Sequence, residues 1–129
     1  MIFNLQLLFA SFMTVFTVQQ QDQELYKAWK IVAEERLYLN LDGSAHSAFL
    51  NRLDSAKSEA TVFTFLPDGT FQSAEGNGTF KASADSIHLR ISDKTTSFKF
   101  TLKDNSLYLY NDVKKEDHIR REMLHAQPL

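Results

Sequence analysis

The chain has 129 residues, the length of a single domain, with a formal net charge of −2 and no cysteine. Disulfides and thiol-linked lipid anchors are therefore excluded, and with them the disulfide-stapled class of small secreted folds. Basic residues are scattered singly apart from Lys114-Lys115 and Arg120-Arg121. There is thus no clustered basic face of the kind that nucleic acid or an anionic membrane surface selects.

Met1 to Val18 is uncharged and apolar, and Gln19-Gln20-Gln21-Asp22-Gln23 then turns abruptly polar. An apolar core followed by a polar start reads as an export signal over residues 1–20, cleaved between Thr17 and Gln21. Two other readings stay open: an uncleaved anchor, and a helix packed on the domain. The stretch is short for a membrane span, which needs about 20 apolar residues. On the export reading the mature protein is secreted or periplasmic, keeps no stable membrane anchor, and consists of one domain over residues 21–127.

Trp29 to Leu39 reads as the first strand. Trp29, Ile31 and Ala33 share one face, and the alternation continues through Leu37, Leu39 and Leu41 until Asp42-Gly43 breaks it. Ser44 to Glu59 is less regular. Ala45, Ala48, Phe49, Leu53 and Ala56 fit one face of a short helix, and they fit equally a loop packed over one end of the fold.

From Ala60 onward apolar and polar residues swap at almost every step. The segments are Val62-Phe63-Thr64-Phe65, Thr70-Phe71-Gln72, Thr79-Phe80-Lys81, Ile87 to Ile91, Phe98 to Leu102 and Leu107 to Tyr110. Such alternation makes strands with one buried face. The spacers Pro67-Asp68-Gly69, Gly76-Asn77-Gly78, Ala84-Asp85, Asp93-Lys94 and Asp104-Asn105 are too short for a crossover helix, so sequence neighbours pair antiparallel. After a charged link from Asp112 to Asp117, a last strand runs from about His118 to Leu124. The expected fold is all-β: a single antiparallel up-and-down barrel of about eight strands, closed by the first strand meeting the last near Arg121.

The order of these segments resembles the lipocalin-like family of calycin barrels, in particular its short bacterial exported members. Ala28-Trp29-Lys30-Ile31-Val32 is similar to the family's Gly-x-Trp strand, with Lys27 where the family has Gly. Thr64 to Phe71 resembles its recurrent Phe-x-x-Asp-Gly-Thr-Phe hairpin. Gly78 to Lys81, Asp85 to Leu89, Phe98-Lys99-Phe100 and Asn105 to Leu109 resemble the strands that follow. The resemblance covers residues 26–124. It implies a binder of a small apolar ligand, with a last-strand Arg (Arg120 or Arg121) stacked on Trp29.

Two functional readings follow. An eight-stranded barrel is just wide enough to be filled by side chains or to hold one small ligand. In the first reading it binds a small apolar or amphipathic molecule. Trp29, Phe63, Phe65, Phe71, Phe80 and Phe100 then supply an apolar wall, and Tyr108, Tyr110 and Arg121 supply polar tips. Ser44 to Glu59 would be its lid. In the second, the aromatic rings are simply core, and the chain is an exported inhibitor or accessory subunit acting on an unidentified protein. No nucleophile elbow, phosphate loop or thiol is present, so no enzyme activity and no cofactor are expected. His46, His88, His118 and His125 are dispersed and read as surface residues rather than metal ligands.

Overall fold

The computed structural model describes residues 23–46, 49–55 and 61–129. The N-terminal apolar stretch lies outside the described residues, as do Ala48 and Ala56. The described chain is one antiparallel sheet of nine strands: β1 (Ala28–Leu39), β2 (Arg52–Ser55), β3 (Val62–Phe65), β4 (Thr70–Ser73), β5 (Gly76–Ala82), β6 (Ser86–Ile91), β7 (Lys94–Lys103), β8 (Ser106–Lys114) and β9 (Ile119–Pro128).

From β3 to β9 each strand pairs with its sequence neighbour. The long strand β1 pairs with β3 through Ala28–Lys30 and with β9 along its length, so the hydrogen bonding runs round in a ring. β2 occupies the remaining edge of β1, opposite Ala33–Arg36. It is the ninth strand beyond the eight of the ring, and it lies where the sequence left a helix or a loop open. Arg-Leu-Asp-Ser carries no apolar alternation, which is why its strand character was hidden.

The closed end is built around Trp29. A single helical turn at residues 23–25 lays Leu25 beneath it, and both side chains are fully buried. The Trp29 indole Nε1 donates to the Leu25 carbonyl at 3.0 Å, so the ring is buried without an orphaned donor. Phe63, Phe65, Phe71, Ile87, Phe100, Leu107, Leu109 and Ala126 complete the buried cluster. Phe65 makes edge contacts with Phe63 at 5.5 Å and with Phe80 at 4.7 Å between centroids.

Turn chemistry sets the registers. Asp68 Oδ1 accepts from the Thr70 amide at 2.9 Å, and Gly69 takes φ +88°, which fixes the β3–β4 hairpin. Asp104 and Asn105 both have positive φ, as the two-residue turn between β7 and β8 requires. The Gly76-Asn77-Gly78 segment is not a turn as expected; it opens β5, and the turn is Ala74-Glu75. Gly78 is needed for another reason: a Cβ there would stand 2.0 Å from the Arg90 carbonyl oxygen. The two backbones approach too closely for any side chain.

β1 contains the one irregularity that changes the interior. Ile31 faces Ala126 but Ala33 faces His125, so Val32 is an extra residue, a β-bulge. Directly opposed residues share a face. Trp29 and Ile31 therefore point inward, and beyond the bulge it is Glu34, Arg36 and Tyr38 that do so. The expected continuation of the apolar face through Ala33, Leu37 and Leu39 is reversed: these residues face outward.

Candidate functional site

The ring's interior has two ends of different chemistry. Below the waist, a chamber of about 520 Å³ is bounded by Ile31, Phe63, Phe71, Leu89, Ile91 and Phe98, with Leu109 and Leu124 at its upper edge. Its polar members are Glu34, Thr61, Ser73, Glu75, Lys94 and Thr96. Strand registers account for these neighbours. Phe98 opposes Ile87, Thr96 opposes Leu89 and Lys94 opposes Ile91, so β6 and β7 send one continuous row inward.

Above the waist a second compartment of about 340 Å³ shares Glu34, Phe98, Leu109 and Leu124 with the first. Its remaining wall is mostly charged: Glu35, Arg36, Arg52, Asp54 and Glu122, together with Asn111 and Met123. The registers Glu34↔Asp54 and Arg36↔Arg52 bring β2 to this wall, and Arg36↔Glu122 brings β9. Arg36 Nε donates to Glu122 Oε1 at 2.9 Å, and the adjacent carboxylate holds the guanidinium above its ordinary pKa. Arg52 and Asp54 pair at 2.8 Å. Arg120 Nε stands 3.0 Å from the same Glu122 oxygen but lacks hydrogen-bond geometry.

Beside Tyr38 and His118 sit His46, Phe49 and Asn51, which follow β1. Phe49 packs against Tyr38, His46 and His118 at 5.0, 5.0 and 4.9 Å between centroids. Asn51 Oδ1 accepts from the Tyr38 amide at 3.0 Å. His118 is bound in turn by Asp117 at 2.6 Å, a contact that lowers the carboxyl's pKa. Among the described residues no group of three or more His, Asp or Glu side chains converges to hold a metal ion.

The residues singled out from the sequence divide cleanly. Trp29, Phe63, Phe65, Phe71, Phe80 and Phe100 all belong to the inner face: the register pairs Trp29 with Phe63, Phe65 with Phe71 and Phe80 with Leu89. Of these, only Phe63 and Phe71 line the chamber; Trp29, Phe65 and Phe100 are core, and Phe80 packs against that core. Tyr108, Tyr110 and Arg121 lie on the opposite face. Leu107 and Leu109 take the inward positions of β8, opposite Ala126 and Leu124, which turns the tyrosines out. Tyr108 contacts His125 at 5.0 Å, and Arg121 stacks over Tyr110 at 4.3 Å while binding Asp112 through two hydrogen bonds.

The expected Arg over Trp29 is also absent. Trp29 opposes Pro128, whereas Arg120 and Arg121 oppose Tyr38 and Leu37 at the far end of β1. The cation near the indole is Lys27 Nζ, 5.3 Å from the ring. The residues that sequence reasoning missed are Glu34, Arg36, Arg52, Asp54 and Glu122. Their only signal was an even-spaced run of charge in β1, Glu34-x-Arg36, which reads as a solvated face until Val32 is recognised as a bulge. No family model, curated protein or solved structure matches the chain, so the interior itself is what its function is read from.

Proposed function

We propose that this protein is a small exported β-barrel of lipocalin-like type that holds an apolar or amphipathic small molecule inside its ring, without catalysing a reaction. The observation that carries the reading is the chamber of about 520 Å³ behind Phe63, Phe71 and Phe98. That volume falls within the ~300–1,000 Å³ of ligand pockets, and an apolar wall with a few polar groups is their usual composition. Among the described residues, the core of the closed end accounts for Trp29, Phe65 and Phe100 without filling this space. On this reading the aromatic content serves both purposes the sequence left open: one set packs as core and the other lines the binding space.

The test is titration of the purified domain with fatty-acid and retinoid-like fluorophores, comparing wild type with Phe98→Trp. Phe98 borders both compartments, so a larger ring there takes volume from each. Saturable binding that Phe98→Trp weakens is the expected result. An absence of saturable binding across the panel would leave the protein-interaction role as the better reading.

A further inference from the structure

The charge bordering the two compartments does not balance. Arg52 is matched by Asp54 and Arg36 by Glu122. Lys94 and Glu75 carry opposite charges on the same lower chamber. That leaves Glu34. It is solvent-accessible, it borders both compartments, and its carboxylate makes no hydrogen bond or ion pair with any described residue. Its cross-strand neighbour on β9 is Leu124, and Leu109 and Phe98 share the same waist. Arg120 is a third guanidinium on this face, but it borders neither compartment and its Nε is shut off from solvent.

We propose that Glu34 is a recognition residue for the cationic head of an amphipathic amine whose apolar tail occupies the lower chamber. The proposal rests on the ligand-binding reading above and names its ligand class. Glu34 is exposed, so a matching cation gains there what an accessible ion pair gives, a modest amount that is enough to rank head groups sharing one tail. An ammonium donates up to three hydrogen bonds and carries the complementary charge. A carboxylate head at the same place would meet like charge, and an uncharged hydroxyl would gain only a neutral hydrogen bond. Position matters as much as sign. Glu34 stands where the apolar chamber meets the charged compartment, so a molecule with its tail among Phe63, Phe71 and Ile91 presents its head there.

The experiment is calorimetric titration with three probes that share one tail, decylamine, decanol and decanoate, each below its micelle concentration. Wild type, Glu34→Gln and the outer-face control Asp112→Asn are compared. Decylamine is expected to bind about three- to fivefold tighter than decanol, the range of an exposed ion pair, and decanoate weakest. Glu34→Gln should bring amine and alcohol to within about twofold, while Asp112→Asn keeps the wild-type order. Glu34→Gln is nearly isosteric at an accessible position, and an unchanged urea midpoint verifies its fold. Equal binding of amine and alcohol, or a preference for decanoate, overturns the assignment of Glu34 and leaves the binding role standing. Saturation by none of the three overturns both.

Discussion

Trp29→Ala should remove most of this domain's stability. The side chain is fully buried and sits on Leu25, Phe63 and the rest of the closed-end cluster. An aromatic of this size buries about 150–250 Å², which at roughly 25 cal/mol per Å² is about 4–6 kcal/mol of transfer free energy. Measured truncations of buried Phe or Trp to Ala cost about 3–5 kcal/mol. The substitution also strips the Leu25 carbonyl of its donor, and an unsatisfied buried acceptor costs about 1–3 kcal/mol. A small domain has only about 5–15 kcal/mol in all. Urea denaturation followed by circular dichroism reads the loss, and Trp29→Phe separates its parts: it keeps most of the packing but not the Nε1 hydrogen bond, so it should fall between wild type and alanine. A shift for Trp29→Ala below about 1 kcal/mol would mean the indole is not the keystone of the closed end.

Gly78→Ala should destabilise by about 3 kcal/mol in the same assay, because its Cβ must displace the Arg90 backbone carbonyl rather than a flexible side chain. Tyr108→Phe and Arg121→Ala should leave fluorophore affinity within about twofold of wild type, since both side chains lie on the outer face; a larger loss would place the ligand outside the ring. Arg121 and Asp112 should couple by about 0.5–1 kcal/mol in a double-mutant cycle, as a bidentate but partly exposed pair does. Acid should weaken the fold through its turns: Asp68 and Asp42 are held below the ordinary carboxylate pKa, chiefly by Thr70 and Ser44 side chains. A lowered folded-state pKa contributes stability above the unfolded value of about 3.9 and loses it as pH falls through the folded value. Urea midpoints measured from pH 6 downward should therefore begin to drop near pH 4, less steeply for Asp68→Asn.

How far the sequence could be read depends on which strands carry a signal on one face only. In Val62-Phe63-Thr64-Phe65 and Phe98-Lys99-Phe100 the polar residues are unambiguous, so alternation names the buried face and the turns name the partners. Leu107-Tyr108-Leu109-Tyr110 is apolar on both faces. Its pattern does not say which set is inside, and the choice of Tyr108 and Tyr110 as pocket residues failed there. The packing that decides it is the pairing of Leu107 and Leu109 with Ala126 and Leu124, and that is long-range information. β2 failed for the opposite reason: Arg52-Leu53-Asp54-Ser55 has no apolar face because its inward side chains meet a charged compartment rather than a core.

The bulge at Val32 is the cause of the misreading of β1. Without it, β1 would send Ala33, Glu35, Leu37 and Leu39 inward, and the apolar face begun by Trp29 and Ile31 would continue through the strand, broken only at Glu35. The interior would then be apolar over more of its height. The extra residue turns Glu34, Arg36 and Tyr38 inward instead, opposite Leu124, Glu122 and Arg120. The cross-strand ion pair Arg36–Glu122 fits only that register, because a one-residue slip would aim the two side chains at opposite faces. The same slip carries Leu37 and Leu39 to the outer face, next to the outward Arg121 and Ile119. The share of the charged upper wall that β1 supplies, Glu34 and Arg36, is thus a consequence of one inserted residue in the longest strand. On the binding function proposed above, these two charges are what would suit the chamber to an amphipathic molecule rather than a purely apolar one.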